Sequence, residues 1–89
     1  MNVSYLAHVR GVVQGVYFRA SSQQMAIEYG LSGYAHNLAD GEVELLLCGE
    51  EENVDKMLNW LNTGPPQAKV AEVKAKQIPW QQHNHFSIG

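Results

Sequence analysis

Cys48 is the only cysteine in the 89-residue sequence, so no intramolecular disulfide can staple the fold. A disulfide-built scaffold is excluded, and stability has to come from packing. Long apolar runs are missing as well. No segment approaches the ~20 apolar residues needed to cross a bilayer, and Met1 is not followed by the basic stretch and apolar run of a signal peptide. A cytoplasmic location with no membrane association is expected. Basic residues are few: six Lys and Arg stand against nine Asp and Glu, for a formal charge of -3. No global positive field exists to recruit nucleic acid, and any anion site has to be built locally.

What the sequence does have is 45% hydrophobic residues, enough for one modest core in a single domain over residues 1–89. Nothing in it demands more than a monomer. From Val3 to Val9 apolar and polar residues alternate, which predicts a first strand with Val3, Tyr5, Ala7 and Val9 on one face. Gly11 to Gly15 predicts a loop. Between Arg19 and Tyr29, the positions Ser22, Met25, Ala26 and Tyr29 have helical spacing, and Gly30-Leu31 suits a helix terminus.

Ser32 to Leu38 predicts a second strand, Ala39-Asp40-Gly41-Glu42 a hairpin turn, and Glu42 to Cys48 a third strand ended by Gly49. Within that third strand Val43, Leu45 and Leu47 should face the core. Leu46, on the opposite face, is expected to pack under a neighbouring edge. Glu50, Glu51 and Glu52 favour a helix N-terminus, and Val54, Met57, Leu58 and Leu61 form an apolar helical stripe ended by Gly64-Pro65-Pro66. A fourth strand follows from Val70 to Lys76, with Ala71, Val73 and Ala75 on one face, and a short fifth from His85 to Ile88. This order predicts an α+β fold, a ferredoxin-like βαββαβ sandwich with an antiparallel sheet of four or five strands and two helices on one face.

The two glycines between the first strand and the first helix present backbone N–H groups at a helix N-terminus, where unpaired donors and aligned dipoles favour an anion. Arg19 stands at the start of that helix, where a cation is unfavourable to the dipole but its planar guanidinium can grip two anion oxygens. A surface salt bridge is the other reading of Arg19. Asn37 has low strand propensity and an amide that both donates and accepts, which fits either a turn residue or a water-positioning one.

Gly11-Val12-Val13-Gln14-Gly15-Val16-Tyr17-Phe18-Arg19 resembles the first signature of the acylphosphatase family, G-x-V-Q-G-V-x-F-R. The stretch from Gly33 through Asn37 and Asp40-Gly41 to Gly49 resembles the second, at the family's spacing. The resemblance implies a hydrolase that cleaves the carboxyl–phosphate bond of small-molecule acyl phosphates. Arg19 and Asn37 are then the catalytic pair, Arg19 binding the phosphate and Asn37 orienting the attacking water. Backbone N–H groups of Gln14, Gly15, Val16, Tyr17 and Phe18 line the phosphate cradle, with Gly15 allowing close approach. No cofactor and no metal are called for, because loop amides and a guanidinium serve as charge stabilisers.

Val12 and His36 stand where the family often carries a basic residue, which implies a less positive rim and keeps open a weakly catalytic, anion-binding module. Family members also commonly carry a basic residue near the end, where this chain has Phe86-Ser87-Ile88-Gly89, so no C-terminal side chain is assigned to the site. His83 and His85 are read as surface residues sharing one side of a strand, and His8 as non-catalytic. Cys48 is read as an inert strand residue, Asp40 as a turn former, and Trp60 and Trp80 as packing residues. An RNA-binding domain of the same fold would need aromatics on its central strands and a basic surface, and neither is present.

Overall fold

The computed structural model describes residues 1–89. The elements are β1 (Asn2–Val12), α1 (Phe18–Glu28), β2 (Ser32–Asn37), β3 (Val43–Glu50), α2 (Glu51–Leu61), β4 (Lys69–Ile78) and β5 (Phe86–Ile88). The two helices cover one face of a five-stranded sheet ordered β4-β1-β3-β2-β5. This is the expected ferredoxin-like α+β sandwich.

The period-two pattern of β3 sets the centre of the core. Val43, Leu45 and Leu47 are fully buried on the helix face, beside Val9, Ala7 and Tyr5 of β1. Val54, Met57 and Leu61 of α2 close over them, as the apolar stripe predicts. Each such fully buried side chain contributes roughly 1.5–3 kcal/mol. Leu46 is buried too, on the other face, between Leu6 and Tyr34 of the neighbouring strands. The end of α1 is held by two backbone bonds, Leu31 N–H to Ala26 and Gly30 N–H to Ile27, which satisfy carbonyls the helix itself leaves free. No helix is long and apolar enough to cross a membrane.

Three strand readings are corrected. β1 runs through Gly11 and Val12, where a loop was expected, because both residues pair with β4. Gly11 has φ 132, and a Cβ there would meet the Lys69 carbonyl oxygen at 2.1 Å, so a side chain is sterically forbidden. Opposite it β4 bulges: Arg10 pairs with Glu72 and Gly11 with Val70, leaving Ala71 as the extra residue. Val70 and Val73 are therefore the half-buried positions, and Ala71 is exposed. β3 likewise continues past Gly49 to Glu50, since Gly49 still pairs with Val3.

β5 joins the otherwise antiparallel sheet in parallel with β2. Register explains its direction. Ile78, Ser4, Cys48 and Ser32 lie in one row, so β4 ends at the edge of the sheet where β2 begins. The chain crosses there and enters β5 alongside β2. Gln81 N–H donates to the buried Ser4 hydroxyl at 2.9 Å on the way, and that hydroxyl lies 3.2 Å from Cys48 Sγ. β5 begins at Phe86, so His83 and His85 belong to no strand. Trp60 packs as expected, its ring 5.9 Å from Phe18, but Trp80 is 45% exposed on the crossing segment.

Candidate active site

Val13 and Phe18, each 1% exposed, anchor the two ends of the β1–α1 loop in the core. Gln14 to Tyr17 must reverse the chain between those anchors. Gly15 takes φ 75 with open space around its α-carbon, and Tyr17 takes φ 62, ψ 21, a left-handed conformation that costs a non-glycine residue about 1 kcal/mol or more. This path leaves the N–H groups of Gly15, Val16 and Tyr17 without backbone acceptors. The first turn of α1 adds further unpaired N–H groups. No side chain caps this helix and no acidic residue occupies its first turn, so its positive end is unneutralised.

Arg19 sits half-buried in that first turn. No Asp or Glu side chain pairs with it. Its Nη1 donates instead to the Gly89 backbone oxygen. Asn37 ends β2 and, two residues on from the buried Ala35, projects to the helix side of the sheet. Its exposed amide makes no hydrogen bond within the chain, whereas Asp40 forms the turn by accepting from Glu42 N–H at 3.0 Å. The turn reading of Asn37 therefore fails, and that of Asp40 holds.

Gly15, Tyr17, Phe18, Arg19 and Asn37 line one cavity of about 330 Å³, with Val13, Ala20 and Ile88. Gln14 and Val16 do not. The Gln14 side chain turns away and donates to the carbonyl oxygens of Leu38 and Glu42, both at 2.9 Å, fastening the loop to the β2–β3 hairpin. Val16 faces a second hollow beside Pro65 and Pro66. The tie made by Gln14 was not foreseen, because nothing local marks where a loop glutamine will reach. Nor were Ile88, from a three-residue strand brought in from the far edge, and Gln23, which bonds the Phe86 carbonyl at 2.7 Å and holds β5 beside α1.

His36 lies on the other face. Its ring stacks on Tyr34 at 4.3 Å, and Tyr34 hydrogen-bonds Glu44, which also bonds His8 at 2.8 Å. His36 and Asn37, as neighbours on a strand, point to opposite faces, and the His36 ring lies beside Gly89. Burial, and then the hydrogen bond to Glu44, push the Tyr34 phenol up to about 12. The bonds from His8 and then Tyr34 hold the Glu44 carboxyl below its usual value. No three His, Cys, Asp or Glu side chains converge as metal ligands.

An α+β sandwich whose uncapped helix, guanidinium and free amide surround one cavity defines a domain suited to handling a small anion. Comparison with known proteins makes the class specific. The family model described as Acylphosphatase matches residues 5–88. An acylphosphatase of Colwellia psychrerythraea is 71% identical over 89 residues, covering 100% of both chains. The solved acylphosphatases of Coxiella burnetii and Bacillus subtilis superpose with TM-scores of 0.96 and 0.94 at 38% and 33% identity. They are matched over 99% and 100% of this chain and 93% and 99% of their own. The chain belongs to the acylphosphatase family, and its enzyme class is that of a hydrolase.

Proposed function

We propose that the chain hydrolyses acyl phosphates to a carboxylate and inorganic phosphate by direct attack of a water oriented by Asn37 on a phosphate held by Arg19 and the Gln14–Phe18 loop. The observation that carries this reading is that Arg19 and Asn37 open into the same cavity at the uncapped start of α1. Phosphoryl transfer asks mainly for positioning and for donors around the equatorial oxygens, and the unpaired loop N–H groups and the guanidinium supply both. Tyr17, Phe18 and Gly15 line the cavity; Gln14 and Val16 reach the phosphate through their backbone N–H groups. Gln14 also positions Asn37 through its side chain.

The Asn37 carbonyl oxygen accepts a hydrogen bond from the water and aims its lone pair at phosphorus. A bond forms from the water oxygen to phosphorus as the phosphorus–acyl oxygen bond breaks, and the electron pair leaves with the carboxylate. An amide is too weak a base to take the water's proton, which passes to a phosphate oxygen of the substrate. The carboxylate is a leaving group of low basicity and needs no general acid. No step calls on a metal or cofactor, and a cytoplasmic monomer is the expected setting.

Hydrolysis of benzoyl phosphate at neutral pH with a chelator present tests this directly. Rapid turnover, inhibited competitively by inorganic phosphate, is the expected result. Binding of phosphate without turnover would instead favour an anion-binding module.

A further inference from the structure

His36 points to the sheet face away from the helices, yet its ring touches the residue on which Arg19 is anchored. From the helix side, Arg19 Nη1 donates to the backbone oxygen of Gly89. From the other side the His36 imidazole stands under Gly89: a Cβ there would meet its Cδ2 at 3.0 Å and its Nε2 at 3.1 Å. Strand pairing does not hold this residue, because the register of β5 with β2 ends at Ile88 opposite Ala35. Gln23 ties β5 to α1 earlier, at Phe86. The His36 ring is therefore the support nearest to the point that holds Arg19.

The ring is itself fixed. It stacks on Tyr34 with centroids 4.3 Å apart and planes 12° from parallel. The Tyr34 hydroxyl donates to Glu44 at 2.7 Å, and Glu44 bonds His8 at 2.8 Å. A line of contacts thus runs from β1 through β3 and β2 to Gly89 and ends on Arg19. We infer that His36 is a positioning residue for Arg19, serving as a flat support under Gly89 and not as a charge on the rim, an inference that rests on the phosphate binding by Arg19 proposed above. An arginine with no carboxylate partner has many rotamers to give up when it grips an anion, and fixing one of its nitrogens beforehand lowers that cost. With Nη1 on Gly89, the other guanidinium donors remain for phosphate oxygens.

The test compares His36→Ala, His36→Phe and His36→Lys with the wild type. The measurements are the calorimetric Kd for inorganic phosphate, kcat and KM for benzoyl phosphate, and the denaturation midpoint. His36→Ala is expected to raise Kd and KM by about three- to ten-fold with kcat within about two-fold of wild type. Phenylalanine keeps a ring that can stack on Tyr34 and is expected to restore both constants; lysine keeps a charge and is expected not to. If His36→Ala does not fold, the contrast between His36→Phe and His36→Lys decides alone. A shifted midpoint with an unchanged phosphate Kd would overturn the positioning role, and so would rescue by lysine in place of phenylalanine. A loss of kcat at constant Kd would overturn it too, by placing the effect on the adjacent Asn37. A wild type that binds phosphate without hydrolysing benzoyl phosphate would overturn the hydrolase reading while the Kd series still decides the role of His36. One that binds no phosphate would overturn both.

Discussion

The side-chain nitrogen of Gln14 lies 2.9 Å from the carbonyl oxygen of Leu38, the residue that follows Asn37. A second bond of equal length reaches Glu42 across the hairpin. One amide thus fixes the spacing between the loop proposed to hold phosphate and the strand end proposed to hold water. Gln14→Ala is expected to lower kcat by about ten- to a hundred-fold, because small misplacements of a positioning group cost that much. Stability should fall by about 1–2 kcal/mol. The inhibition constant for phosphate should stay near wild type. Denaturation, kcat and inhibition measured on one preparation check this, and an unchanged kcat would remove Gln14 from its positioning role.

Arg19→Lys keeps the charge and loses the planar fork. A fall in kcat/KM of about a hundred-fold or more is expected, with weaker phosphate inhibition. Substantially retained kcat/KM would show that a point charge suffices.

The legibility of this fold follows the range of the forces involved. Val43, Leu45 and Leu47, and the stripe Val54, Met57, Leu61, are local periodicities that one sheet face and one helix face impose, and they appear in the structure as written. The bulge at Ala71 is not local. It depends on Gly11 approaching Lys69 from another strand, and neither sequence segment announces it alone. The direction of β5 depends similarly on where β4 ends. The convergence of Arg19 and Asn37 on one cavity was legible because two long motifs mark them together. The face occupied by His36 was available from strand alternation, once Asn37 was assigned to the helix side. The reach of Gln14 across to the hairpin was not, because it is a tertiary bond made by a flexible side chain.

Glu44 has its folded-state pKa lowered from 4.5, first by the His8 bond and then by the Tyr34 bond. A carboxyl lowered in this way stabilises the fold fully above the unfolded value and loses that contribution as pH falls through the lower folded value. Glu44→Gln is therefore expected to flatten the acid limb of the stability curve below about pH 4.5. Chemical denaturation across acid pH checks it. An acid limb identical to wild type would contradict the assignment.

Cys48 is 1% exposed, and burial pushes its thiol pKa up. A buried, protonated thiol is a poor nucleophile. Reaction with a chromogenic disulfide reagent at neutral pH is expected to be slow in the native protein and fast after unfolding. Rapid reaction of the native protein would mean that the crossing segment over Ser4 and Cys48 opens readily.

The proposed division of labour, anion to Arg19 and the loop, water to Asn37, is tested most directly by Asn37→Ala. Losing one positioning hydrogen bond of this kind costs about 3–4 kcal/mol in the transition state, a rate factor of roughly a hundred to a thousand. The expected result on a single purified variant is a kcat lowered by that factor, with the inhibition constant for phosphate and the denaturation midpoint close to wild type. A variant that keeps its kcat but unfolds early would contradict the catalytic role of Asn37, and one that loses phosphate affinity together with kcat would contradict the separation of anion from water.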